Sequence, residues 1–293
     1  RISRVLPTTW RNTAAALTLH AAGGCPLPYR ESFETVAGCK VRIMRGGTGE
    51  PLLFLHGARS ASAWLPFFET LSQRFDLIVP EHPGFGGSDT PDWLDNVGDL
   101  AYFYLDLIEA LKLERLHLAG VSLGGWIASE IAVRDQSALK TLTLICAAGI
   151  HVKGVPKGDI FMWSREDFIR NIFHDPKFAE AMLAQTPGDD ELMTEMKNRL
   201  ATAKLGWQPR LYNPDLYKWL HRITVPTLIV WGDDDKVFPL PYGEAYSKLI
   251  PGARLEVVKN AGHTLQIEKA DELASLMTGF IGKNQVGRAG GGP

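Results

Sequence analysis

Hydrophobic residues along this chain follow two rhythms that take turns. Short, mostly apolar runs at Pro51-Leu52-Leu53-Phe54-Leu55, Asp76-Leu77-Ile78-Val79, Leu116-His117-Leu118-Ala119, Thr141 to Cys146 and Val225 to Trp231 read as strands buried on both faces. Lys40-Val41-Arg42-Ile43-Met44 alternates polar and apolar, as a half-buried strand does, and Arg254-Leu255-Glu256-Val257-Val258 is the last strand. Between the runs, apolar residues recur at helical spacing: Trp64, Leu65, Phe68 and Leu71 within Ser62 to Arg74, then Val97 to Leu111 and Ile127, Ala128, Ile131 and Ala132. Tyr242 to Leu249 and Ala270 to Ile281 complete the helices. Strands alternating with helices predict an α/β fold, a mostly parallel, doubly wound sheet with helices on both faces.

The alternation stops after Ala148-Gly149. From Ile150 to His221 no strand pattern occurs, only helix-like pieces separated by Pro156, Pro176, Pro187, Pro209 and Pro214. The segment is rich in aromatic residues, among them Phe161, Trp163, Phe168, Phe173, Trp207, Tyr212 and Trp219. Most of these glue a helical insertion to itself and to the main domain, and a few are expected to roof an apolar pocket. The predicted organisation is an N-terminal extension (1–26), a first core segment (27–149), a helical cap (150–221), a second core segment (222–282) and a flexible tail (283–293).

Composition narrows the function. With 293 residues, 45% of them hydrophobic, the chain can bury a full core, and a net charge of −2 makes nucleic acid a poor partner. No apolar run approaches the roughly 20 residues that span a bilayer. The three cysteines have no metal-ligand spacing, and Cys146 reads as a buried strand residue. This usage suits a reducing compartment, so a cytoplasmic location is expected. The first two dozen residues also resemble a weak secretory or lipoprotein leader, with Arg1, Arg4 and Arg11 before Ala14-Ala15-Ala16-Leu17 and small residues before Cys25. Oligomeric state is not legible.

Chemistry enters at Gly120-Val121-Ser122-Leu123-Gly124. A serine between a clear strand and a clear helix sits on a sharp turn that lifts it toward substrate, and Gly120 and Gly124 relieve crowding there. The bland alternative is a serine that caps an ordinary helix. A serine hydroxyl needs a base in reach, and the base needs an orienting partner. His263, in a Gly-containing loop after the last strand, is the expected base. His56 also ends a strand, but the following Gly57 points to structural hydrogen bonding. The orienting acid is expected in Asp233-Asp234-Asp235, with Asp235 preferred and Asp233 or Asp234 as alternatives. The backbone N–H groups of Leu123 and Ala58 are the expected oxyanion donors. Trp126, Trp163 and Trp207 are candidates for substrate contact.

Taken in order, His56-Gly57-Ala58, Pro83-Gly84-Phe85-Gly86-Gly87-Ser88, Gly120-Val121-Ser122-Leu123-Gly124, Trp231-Gly232-Asp233-Asp234-Asp235 and Ala261-Gly262-His263 resemble the α/β-hydrolase superfamily over roughly Leu27 to Gly282. The resemblance implies an α/β-hydrolase fold with a helical cap between the two halves of the sheet. It places the acid three residues after the glycine of the Trp-Gly pair, at Asp235. The serine at position 122 disfavours dehalogenases and epoxide hydrolases of this fold, which use aspartate. The expected activity is that of a serine hydrolase, carboxylesterase-like, acting on a small apolar ester with no metal and no organic cofactor. A hydrolase of C–C bonds in ring-fission products is the nearer rival. That group usually has an oxyanion loop richer in glycine and proline and often Trp where Thr264 stands. A small-molecule receptor on a hydrolase scaffold is the more distant one. His82 occupies a position where the family commonly has aspartate, and the sequence offers no reason for it.

Overall fold

Eight strands hydrogen-bond in the order β1-β2-β4-β3-β5-β6-β7-β8, with β1 and β2 antiparallel and all pairs from β4 through β3 to β8 parallel. The computed structural model describes residues 28–58 and 63–286. The expectations for residues 1–26, for the helix start at Ser62 and for the tail beyond 286 lie outside the described residues.

The strands are β1 (Arg30–Val36), β2 (Cys39–Gly46), β3 (Glu50–Leu55), β4 (Phe75–Pro80), β5 (Leu116–Val121), β6 (Leu139–Ile145), β7 (Thr227–Gly232) and β8 (Arg254–Val258). β5 and β7 are buried at every residue, as their mostly apolar character requires of strands covered on both faces. Helices α1 (Pro66–Ser72), α2 (Val97–Ala110) and α3 (Leu123–Arg134) follow β3, β4 and β5. After β7 come α7 (Pro241–Leu249), then β8, the short α8 (Leu265–Glu268) and α9 (Ala270–Val286). α1 packs on α9, and α2 packs on α3. Asn96 begins α2 with a reciprocal capping box to Asp99.

From β3 the chain first moves outward to β4 and then crosses back to β5 on the other side. Loops leaving the carboxyl ends of β3 and β5 therefore diverge, and the cleft between them is where doubly wound sheets hold ligands.

Between β6 and β7 lie α4 (Arg165–Asn171), α5 (Pro176–Leu183), α6 (Asp189–Gly206) and two 3-10 turns, Leu216–Lys218 and Leu220–Arg222. These form the cap. α6 buries Asn198, Ala201, Thr202 and Leu205, while Leu192, Met193, Met196 and Leu200 stay exposed, Met196 and Leu200 along a groove under the cap. Lys197 Nζ donates to the Gly86 and Ser88 carbonyls at 2.8 and 2.6 Å, and Asn198 Oδ1 accepts from Gly86 N–H at 2.9 Å. The cap leaves and rejoins the body at one place. Gly149 N–H donates to Leu211 O at 3.2 Å, and Asn213 N–H donates to Gly149 O at 3.0 Å.

Two features differ from the sequence reading. β1 has no apolar rhythm that marks it as a strand. It forms because it pairs along its whole length with β2 at the sheet edge. α9 runs to Val286, so residues 283–286 are helical rather than part of a flexible tail. Buried Leu273, Ala274, Met277 and Ile281 anchor the helix, and Asn284 Nδ2 donates back to the Phe280 carbonyl at 2.9 Å.

Candidate active site

Ser122 stands between β5 and α3 with φ 55° and ψ −115°, a conformation that L-residues other than glycine rarely adopt. Such strain costs on the order of 1–3 kcal/mol and persists only where the surroundings enforce it. Here Ser122 N–H donates to Ile145 O at 2.9 Å, and Ser122 O accepts from Ala148 N–H at 3.0 Å and Trp126 N–H at 3.1 Å. Gly120 and Gly124 are small for the reason the sequence suggested. A Cβ on Gly124 would collide with the Leu55 carbonyl and lie 2.6 Å from that of His56, and one on Gly120 would strike the Gly124 carbonyl.

His263 follows β8, with its ring buried beside Phe238. Its Nδ1 donates to Asp235 Oδ2 at 2.8 Å. Asp235 Oδ1 in turn accepts from the Val237 and Phe238 amides at 2.8 and 2.9 Å, so the carboxylate is fixed from both sides. Its two neighbours point elsewhere. Asp234 pairs with His174 Nδ1 at 2.9 Å, and Asp233 Oδ1 accepts from Ala261 N–H at 3.4 Å in the turn itself. Among the three aspartates, geometry brings only Asp235 to His263.

Ser122, His263, Ala58 and Leu123 all line one inner cavity of about 270 Å³, walled by Phe54, Leu65, Phe68, Ile172 and Phe238. No hydrogen bond joins Ser122 to His263 among the described residues; such contacts commonly tighten only once substrate is bound. The inner cavity shares Ala58, Leu65, Ile160, Phe168, Met182 and Gln266 with an outer groove of about 1310 Å³ under the cap.

A sequence profile of the alpha/beta hydrolase fold matches residues 50–270. The chain belongs to this family. It is 28% identical to Lipase 1 of Psychrobacter immobilis over 273 residues, covering 85% of this chain and 83% of that one. It is 27% identical to a 2-hydroxy-6-oxononadienedioate/2-hydroxy-6-oxononatrienedioate hydrolase of Paraburkholderia phymatum over 272 residues, covering 84% and 93%. A membrane phospholipase A of known structure superposes with a TM-score of 0.68 at 26% identity, covering 88% of this chain and 87% of that one. The protein is therefore a hydrolase of α/β fold.

Within this hydrolase the tryptophans separate. Trp163 and Trp207 line the outer groove and not the inner cavity. Trp126 does not line either, which corrects its assignment to substrate contact. It is buried on the first turns of α3, its indole N–H donates to Glu130 at 3.0 Å, and its ring packs where a Gly149 side chain would be. His56 is structural, as expected. Its Nε2 accepts from His82 N–H at 3.0 Å, and its Nδ1 donates to Gly57 O at 2.6 Å. That pairing supplies the reason for His82, whose Nε2 donates to His56 O at 2.8 Å while its Nδ1 accepts from the Tyr104 hydroxyl.

Two contributors escaped sequence reading. Cys146 directly follows β6 with φ 43°, and its Sγ, the Asp235 carboxylate and the His263 imidazole lie within 4.8 Å of one another. It is the one metal-capable cluster among the described residues. Burial first, and then the Asp235 charge, push the thiol well above its usual range, so without a metal beside it the thiol stays protonated. The second is Glu268, six residues past Gly262, whose buried carboxylate accepts from Gly262 N–H at 2.7 Å. A Gly-His loop followed by a glutamate on the next short helix is the signal that could have found it.

Proposed function

We propose that this protein is a serine hydrolase of carboxylic esters with an apolar acyl or alcohol portion. The observation that carries this reading is the shared inner cavity. It is apolar and faces Ser122, held at a strained turn, together with His263, whose far nitrogen Nδ1 is bonded to Asp235 at 2.8 Å. Ser122 attacks the ester carbonyl as His263 Nε2 takes its proton. Asp235 keeps the imidazole in the tautomer that leaves Nε2 free and stabilises the imidazolium that forms. The Ala58 and Leu123 N–H groups receive the oxyanion. The imidazolium then protonates the departing alcohol, and water, activated by the same imidazole, releases the acid and restores Ser122. Each step uses groups of the chain and water. No nucleic acid is called for, and no helix among the described residues is long and apolar enough to cross a membrane.

The rival is cleavage of a C–C bond in a dicarboxylate such as the one named for the Paraburkholderia phymatum relative. A dianion bound away from water needs cationic partners. The described lining of the inner cavity is largely apolar, which supports a neutral ester group there, while Arg165, Lys177 and Arg199 line the adjoining outer groove. The test is fluorophosphonate labelling of wild type and Ser122→Ala, followed by turnover of short and long p-nitrophenyl esters beside a dienone ring-fission product. Labelling that requires Ser122, with ester turnover exceeding dienone turnover, is expected. Absence of labelling favours a receptor, and faster dienone turnover favours the C–C hydrolase.

A further inference from the structure

Glu268 occupies a place where three segments meet. From α8 its carboxylate accepts Gly262 N–H at 2.7 Å, His174 N–H at 3.0 and 3.2 Å and Asp175 N–H at 2.6 Å. Gly262 immediately precedes His263, whereas His174 and Asp175 form the strap between α4 and α5 of the cap. The same strap touches the histidine loop in a second way. His263 N–H and Thr264 N–H both donate to Ile172 O, at 2.9 and 3.2 Å, and Thr264 Oγ1 donates to it at 3.1 Å. A Cβ on Gly262 would lie 2.8 Å from His174 N and from Ile172 O, so glycine is required for the strap to lie this close.

Among the described residues the Glu268 carboxylate accepts from backbone N–H groups, and a carboxylate on a residue only 8% exposed is costly to bury unless those bonds persist. Opening the strap while the loop stays in place would leave Glu268 with one donor in place of three. Opening the loop alone would leave it facing the strap.

We propose that Glu268 is a positioning residue that binds the cap strap and the loop of the base into one unit, so that the cap and His263 take up their working places together. This rests on His263 acting as the base of the proposed hydrolase. The consequence reaches beyond the triad. Occupation of Ser122 and His263 is felt at residues 172–175, and any ligand that shifts the strap changes how well His263 is aimed.

Glu268→Gln keeps the size of the side chain but turns one acceptor into an NH₂ group facing N–H donors. With p-nitrophenyl acetate, a substrate small enough for the inner cavity alone, kcat is expected to fall at least about tenfold while KM stays within about twofold. A merely structural glutamate predicts a lower Tm with kcat per labelled Ser122 unchanged, and that result overturns the proposal. Hydrogen exchange of the wild-type protein supplies a measurement that needs no variant. Fluorophosphonate labelling of Ser122 is expected to change protection of the His174, Asp175 and Gly262 amides together. Protection that changes at Gly262 and not at His174 and Asp175 overturns the coupling, even where Glu268→Gln does not fold. A wild-type protein that takes no label fails at the hydrolase reading, a separate outcome from a labelled protein whose strap is indifferent.

Discussion

His56 and His82 hold each other by reciprocal bonds. The His82 amide donates to the His56 ring, the His82 ring donates to the His56 carbonyl, and the rings stack with centroids 3.6 Å apart. Both tautomers are thereby fixed and both rings are neutral. Burial lowers the His56 pKa to about 4, and burial followed by the neighbouring His56 lowers that of His82 well below its usual value. The unfolded chain, with histidines near 6.5, thus takes up protons that the folded chain refuses. Stability contributed by this pair is complete above about pH 6.5 and is lost as pH falls toward 4; the His56 shift alone amounts to about 3 kcal/mol. Urea unfolding between pH 7.5 and 5 is expected to show falling stability, with a shallower slope in His56→Gln. Equal slopes in the two proteins would contradict a neutral buried pair.

Asp235→Asn is expected to lose about ten-thousand-fold in kcat, because an amide facing Nδ1 no longer selects the productive tautomer. Asp234→Asn breaks only half-exposed pairs with His174 and Lys236 and is expected to stay within about threefold of wild type. Asp233→Asn touches the turn and falls between the two. Each variant is checked by circular dichroism before kcat is measured. A folded Asp235→Asn with near-native kcat would move the acid to another residue.

Trp207 is half exposed at the groove wall, 5.3 Å from Phe161 and with the Arg210 guanidinium 4.0 Å over its ring. Trp207→Ala is expected to lower the ratio of kcat/KM for p-nitrophenyl decanoate over acetate about fivefold, from the apolar contact removed. Trp163→Ala should act in the same direction. A parallel loss for both esters would mean that these rings only pack the cap.

The two buried thiols should be inert. Burial raises the Cys39 thiol to about 11, and burial also pushes Cys146 well above its usual range. Iodoacetamide at pH 8 is expected to leave both unmodified in the folded protein and to alkylate both in urea, as read by mass spectrometry. Rapid labelling of Cys146 in the native state would show that the buried surroundings of this thiol open to solvent.

How far the sequence reaches depends on whether a residue's role is local. The strand-turn-helix around Ser122, the unbroken apolar runs and the loop at His263 are local patterns, and each is found where the pattern puts it. β1 was invisible because an edge strand with one side to solvent carries too few apolar residues to mark it. Trp126 was misread because nearness to Ser122 in sequence says nothing about which way a helix turns its side chain. Cys146 and Glu268 meet their partners 89 and 94 positions away, at Asp235 and His174, and no periodicity records such a meeting. His82 made sense only once His56 was seen beside it.

The crossing at Gly149 has an evolutionary corollary. Because the outgoing and returning chains bond to each other there, the sixty-odd residues between them begin and end at the same spot on the body. A segment so attached behaves as an exchangeable cassette. A different excursion, longer or shorter, could be spliced between Gly149 and Tyr212 without disturbing a single strand register, since the two ends lie side by side and no strand of the sheet lies between them. The seams where the cassette must still be matched to its host lie away from the splice, where residues 172–175 lie on Gly262 and where Lys197 and Asn198 bond to the loop of Gly86 and Ser88.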